Sequence, residues 1–304
     1  MDSVKSSLFN KSQEIISGSD NKSISIDITY LNNLQHTNDY KKIIIFSHGF
    51  KGFKDWGPFN EIAKYFAGLG YIFVKFNFSH NGTSVDDALN FVDLDAFGNN
   101  NFSKELDDLG LVIDFVERKF KCSVCEERKS KFNKPLFFLL GHSRGGSISI
   151  LKTAEDERIC AVISWASPSD LLSKVILTDK VDEWKEKGVT YVYNGRTNQY
   201  MPLYYQFYED CIKSKDRLNV RAAVERITTS HLHIHGELDS TVSVESAHKM
   251  NNWNPNTRIH IIKSSNHVFG ASHPYNMKEL PVSLNEALDT TSFFINDLIK
   301  GLES

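Results

Sequence analysis

The chain has 304 residues, 35 Lys+Arg against 38 Asp+Glu, and a formal charge of −3, which excludes a broad electrostatic attraction to nucleic acid or anionic lipid. Its apolar fraction of 40% and charged fraction of 24% are ordinary for a globular chain, so gross disorder is excluded and a sizeable core is expected. Four cysteines are too few for a disulfide scaffold, and no apolar run has the length of a signal peptide or a membrane helix, so the expectation is a cytoplasmic protein with 1–304 as a single domain.

In chain order, residues 23–31 alternate and predict an antiparallel edge strand. Residues 41–47 are a β-branched run that ends at His48-Gly49. Residues 59–69 place Ile62, Tyr65, Phe66 and Leu69 at helical spacing, and 71–78 is again strand-like. The long pattern over 104–120 puts Leu106, Leu109, Val112, Ile113, Val116 and Phe120 on one helical face. A buried strand over 135–140 runs into a tight turn at 141–146, with a helix after it at 147–154. Strands follow at 159–165, 231–235 and 258–263, and an amphipathic helix over 283–302 closes the chain. Strands that are apolar on both sides and alternate with helices predict an α/β fold. Its sheet is mostly parallel and covered on both faces, and its right-handed crossovers bring the loop-bearing strand ends to one edge.

Residues 170–229 break that rhythm, because they separate two strands by far more than one crossover helix needs. The segment carries Trp184, Tyr191, Tyr193, Tyr200, Tyr204, Tyr205, Phe207 and Tyr208. Insertions of this size are usually functional, so a helical cap over the loop edge is expected, with its aromatics binding part of a ligand.

Gly141-His142-Ser143-Arg144-Gly145 fits G-x-S-x-G between a strand and a helix, the setting of a nucleophile elbow. The serine must project from a sharp turn whose neighbours are small, since a Cβ on either flank collides with the adjoining strand or helix. A serine hydroxyl is a poor nucleophile at neutral pH, so it needs a base within hydrogen-bond reach and an acid to orient that base. The loop after the strand 231–235 offers Asp239, with Glu237 as its rival. The loop after 258–263 offers His267, with His273 as its rival. His231, His233, His235 and His260 lie in strands and read as structural. His231, His233 and His235 share one strand face, yet no open coordination position or surrounding pattern signals a metal. His48-Gly49-Phe50-Lys51-Gly52 follows the Ile-rich strand, where a second oxyanion donor is expected. The candidates are the main-chain N–H groups of Phe50 and Arg144.

These residues resemble the α/β-hydrolase superfamily. The resemblance runs from His48-Gly49-Phe50 through Gly141-His142-Ser143-Arg144-Gly145-Gly146 to Asp239 and Asn266-His267-Val268-Phe269, and covers the chain from about Lys41 onward. Within the superfamily it is most similar to cinnamoyl and feruloyl esterases and to dienelactone-hydrolase-like and prolyl-oligopeptidase-like hydrolases. The resemblance implies Ser143 as nucleophile, His267 as base, Asp239 as acid, Phe50 and Arg144 as oxyanion donors, and no cofactor. Arg144 stands where such proteins often carry Gln, Met or Leu, and the 170–229 segment matches no single member closely enough to transfer a substrate. The activity implied is cleavage of carboxylic esters. The same machinery also serves an amidase, a peptidase or an acyltransferase, and a non-catalytic ligand-binding protein can be built on this fold. The expected partner is a small-molecule acyl substrate, with no nucleic acid and no membrane, and a homodimer is left open.

Two further features bear on function. Cys122-Ser123-Val124-Cys125 is one CxxC without the second pair that a zinc ribbon needs, and reads as a surface dithiol at most. Lys51 and Lys54, with Arg144, are candidates to attract a substrate carboxylate.

Overall fold

A computed structural model describes residues 8–32, 41–121, 134–176 and 178–303. The Cys122–Cys125 pair lies outside the described residues. Ten strands are described: β1 (Phe9–Ser17), β2 (Ser23–Leu31), β3 (Lys42–Ser47), β4 (Ile72–Phe76), β5 (Leu136–His142), β6 (Ile159–Trp165), β7 (Val189–Asn194), β8 (Gln199–Tyr204), β9 (Ser230–Gly236) and β10 (Thr257–Ile262). Eight of them form one sheet in the order β1-β2-β4-β3-β5-β6-β9-β10. From β4 to β10 all neighbours are parallel, and β1 and β2 pair antiparallel at one end.

The unbroken apolar strands are buried on both faces, and the two-residue period of a strand divides their side chains between two cores. Ile43, Ile45, Val74, Leu139 and Val162 face one side, against α3 (Phe102–Phe120) and α4 (Arg144–Thr153). Ile44, Phe46, Phe73, Phe138, Leu140 and Ile163 face the other, against α1 (Phe59–Gly68) and α10 (Val282–Glu303). Between α1 and α3 lies the short α2 (Leu94–Gly98), and α9 (Glu245–Trp253) connects β9 to β10.

The register places the site. Ser47 lies beside Gly141, Gly141 beside Ser164, Trp165 beside Ile234, and Gly236 beside Ile262. The loops after β3, β5, β9 and β10 therefore all leave the sheet at one edge, where a parallel sheet presents its ligand crevice.

Two expectations need correction. Residues 23–31 are not an edge strand, because β1 pairs along their full length. None of the β1 residues is buried, so hydrophobic periodicity had no signal there. The 170–229 segment is not purely helical. It holds α5 (Ser173–Ile176), α6 (Val181–Lys187), α7 (Gln206–Lys213) and α8 (Val220–Arg226), and also the antiparallel hairpin β7–β8. The signal for that hairpin was an Asn194-Gly195 turn between alternating tyrosines.

Candidate active site

Ser143 sits between β5 and α4 with φ 55° and ψ −125°, a conformation that costs a non-glycine residue energy and persists only where its surroundings impose it. Its N–H donates to the Trp165 carbonyl on β6 at 2.8 Å, which holds the turn against the sheet. Close approach accounts for the flanking glycines. A Cβ on Gly141 would lie 2.3 Å from the Gly145 carbonyl oxygen, and one on Gly145 would lie 2.3 Å from that of Ser47. The helix begins at Arg144 rather than at the expected residue 147, because Gly145 and Gly146 form its first turn. Its free N–H groups and positive dipole end lie directly behind the serine.

His267 comes down from the loop after β10, with Nε2 3.1 Å from Ser143 Oγ. Its Nδ1 lies 2.7 Å from Asp239 Oδ2, in the loop after β9. Asp239 Oδ1 accepts from the N–H groups of Thr241 and Val242 at 2.8 and 2.9 Å, which fixes the carboxylate plane. Burial alone would raise the Asp239 pKa, but hydrogen bonds from His235, His267 and Val242 hold it below the ordinary carboxylate range. The rivals are engaged elsewhere. Glu237 accepts from Ser264 N–H, and His273 Nδ1 accepts from Gly57 N–H beside Trp56.

The shape of the 48–52 loop, where a second oxyanion donor is expected, follows from peptide planarity. The Gly49 carbonyl accepts from His48 Nδ1–H at 2.9 Å and from Gly52 N–H at 3.0 Å. The same rigid peptide unit carries the Phe50 N–H, which must point the opposite way. Gly49 abuts the serine, since a Cβ there would meet Ser143 Cβ at 3.0 Å. Among the described residues no acceptor engages the N–H of Phe50 or Arg144. The Arg144 guanidinium lies 4.0 Å from the centre of the Phe50 ring, which locks the two segments together.

No family model matches the sequence, and no curated protein matches it. Solved structures do. Est1E from Butyrivibrio proteoclasticus with ferulic acid bound superposes with a TM-score of 0.69 at 16% identity, over 94% of this chain and 99% of that one. The α/β-hydrolase GrgF from a Penicillium species gives 0.65 at 15%, over 95% and 98%. Mouse alpha/beta hydrolase domain-containing protein 10 gives 0.63 at 18%, over 96% and 99%. The chain has the α/β-hydrolase fold.

Within this α/β-hydrolase fold, several supporting residues carried no signal in the sequence. His142, directly before the serine, donates from Nε2 to the His267 carbonyl at 2.8 Å and so anchors the main chain at His267. Burial holds it neutral, with its pKa drawn down to about 3. The three β9 histidines form one buried hydrogen-bond chain. It runs from Thr257 Oγ1 to His231 Nδ1 (3.2 Å), from His231 Nε2 to Ser164 Oγ (2.9 Å), and from Ser164 Oγ to His233 Nδ1 (2.7 Å). It continues from His233 Nε2 to His235 Nδ1 at 2.9 Å. His235 Nε2 ends it, 2.9 Å from the Val242 carbonyl and 3.2 Å from Asp239 Oδ2. A carbonyl only accepts, so His235 carries its hydrogen on Nε2 and the chain terminates as a donor at Asp239. The alternation of histidines was legible, but their connection to Asp239 was not. Among the described residues no group of three or more His, Cys, Asp or Glu is arranged to hold a metal ion, and no helix is long and apolar enough to cross a membrane.

A cavity of about 130 Å³ opens over Ser143, lined by Gly49, Phe50, Lys51, Gly52, Trp56, Phe59, His142, His267 and Val268. The aromatics that line it, Phe50, Trp56 and Phe59, come from the loop after β3 and from α1. Those of the 170–229 segment do not. Trp184, Tyr205, Phe207 and Tyr208 pack on one another. The hairpin β7–β8 nonetheless rests on the loop edge, where Met201 joins Phe53, Phe91 and Phe97 in a small core.

Two of the three cations expected to attract a carboxylate are already paired. Lys54 is buried between Asp27 at 3.0 Å and Asp55 at 2.5 Å, beside Lys75, which bonds the same two acids. Arg144 bonds buried Glu105 at 3.3 Å.

Proposed function

We propose that the chain is a serine hydrolase that cleaves carboxylic esters through an acyl-enzyme. The observation that carries this reading is the continuous hydrogen-bond path from Asp239 through His267 to Ser143 Oγ. Ser143 Oγ attacks the acyl carbon while His267 Nε2 takes its proton. The oxyanion that forms is received by the N–H groups of Phe50 and Arg144, each contributing on the order of 3 kcal/mol. The imidazolium, held against Asp239, protonates the leaving alcohol as the C–O bond breaks. Water then enters, gives a proton to His267 and releases the acid, restoring the Ser143 hydroxyl.

The fold shared with structures named as esterases and hydrolases supports this chemistry. Residues 170–229 are read as a cap within a single domain, because their hairpin meets the same edge as the serine. The cavity is close to the roughly 150 Å³ that accommodates one benzene, so short acyl groups or a single ring are the expected occupants. The test is hydrolysis of p-nitrophenyl acetate together with fluorophosphonate labelling. Ser143→Ala is expected to lose both, and unchanged turnover in that variant refutes the assignment.

A further inference from the structure

The cations around the cleft are paired with acids, with two exceptions. Lys54 and Lys75 are held by Asp27 and Asp55, and Arg144 by Glu105. Lys51 and Arg196 have no Asp or Glu oxygen within 4 Å among the described residues. Both belong to one corner of the molecule. Lys51 lines the cavity with Ser143, and its Nζ donates to the Tyr193 carbonyl at 3.1 Å, three residues before Arg196 in the turn of the hairpin. The Arg196 guanidinium lies 5.0 Å from the Phe53 ring centre and 5.3 Å from that of Phe91. Lys51 Nζ lies 5.7 Å from the Phe50 ring centre.

Ring faces hold a cation in place without neutralising it. Partial burial draws both groups below their ordinary pKa ranges, with no acid acting in the other direction. None of the ten residues lining the cavity is Asp or Glu. Lys51 at the cavity and Arg196 in the turn of the hairpin that Lys51 touches therefore form a cationic corner walled by aromatic faces, with no acid paired to either charge.

We infer that Lys51 and Arg196 form an anion subsite, and that the esters cleaved here carry a carboxylate a short chain or one ring away from the scissile bond. This rests on the serine-hydrolase reading above and narrows its substrate class. Lys51 supplies two N–H donors beyond the one given to Tyr193, and Arg196 supplies a planar fork suited to a carboxylate. The hairpin turn brings the second cation to the first, so the subsite exists only with the 170–229 segment in place.

The experiment compares matched esters. Mono-4-nitrophenyl glutarate is set against 4-nitrophenyl butyrate for a carboxylate on the acyl side, and 3-acetoxybenzoate against phenyl acetate for one on the leaving group. In at least one pair the anionic ester is expected to have the higher kcat/KM, by about fivefold or more at low salt. That ratio is expected to shrink in 0.5 M NaCl as screening grows. It should fall about fivefold or more in Lys51→Gln and in Arg196→Gln, and invert in Arg196→Glu. Neutral esters turned over with no anionic preference in either pair, or a preference that the three variants leave unchanged, overturns the subsite and leaves the hydrolase reading intact. No turnover of any of the four esters, with no fluorophosphonate labelling of Ser143, overturns both.

Discussion

Acid should unfold this protein through its buried histidines, well before its carboxylates matter. Burial holds four of them neutral: His48 is drawn down to about 4, His142 and His231 to about 3, and His233 well below its ordinary value. The unfolded chain protonates these rings near pH 6.5, whereas the native state refuses the proton until about pH 4 or below. The folded values are depressed, so stability rises with pH across this window and is lost as pH falls from 6.5 toward 4. Between pH 7.5 and 5.5 each ring costs about 1.4 kcal/mol, so the four together cost roughly 5 kcal/mol of a total that is about 5–15 kcal/mol for a typical domain. The lowered carboxylates, Asp27 and Asp239 among them, act in a different range. Their stabilisation is present above their unfolded pKa and is lost only as pH falls through their folded values. The assay is urea unfolding followed by fluorescence of buried Trp165 at pH 7.5, 6.5 and 5.5. The slope near pH 5.5 should report about four extra protons bound by the unfolded chain. A stability change under about 1 kcal/mol between pH 7.5 and 5.5 would refute the reasoning, since the rings would then be charged or solvated in the native state.

Two substitutions test the site's mechanics. Asp239→Asn should lower kcat for p-nitrophenyl acetate by roughly 10³–10⁴, because the amide no longer fixes the imidazole tautomer; a loss under tenfold would show that the acid is elsewhere. Gly49→Ala brings a Cβ to 3.0 Å from Ser143 Cβ and 3.2 Å from the His142 carbonyl oxygen, so the Phe50 N–H must shift. We expect a drop in kcat of roughly 10² with little change in KM, as for a lost oxyanion donor, and kcat/KM equal to the parent's would remove Phe50 from that role.

The interior strands were readable because each is an apolar run closed by turn residues, and 159–165 coincides with β6 to the residue. The half-exposed β1 and the hairpin β7–β8 have no such run, and strand pairing supplied what hydrophobicity did not. Among the site residues, Ser143 had a local signature in its strand, glycines and helix. Asp239 and His267 share their loops with the rivals Glu237 and His273, and in the sequence only the resemblance to the superfamily separates them. The distances that now separate them from their rivals belong to contacts between loops 28 and 124 residues apart in sequence.

Composition and periodicity determined the class of fold and the strand edge at which chemistry gathers, because burial on two faces and a strained glycine turn are properties of short stretches of chain. Tertiary structure decided which charges are already satisfied. Lys54 and Arg144 were indistinguishable from Lys51 as residues, and it is the approach of Asp27 and Glu105 from other elements that pairs the first two. Electrostatic pairing depends on separations of a few ångströms between distant segments, and linear order does not encode them.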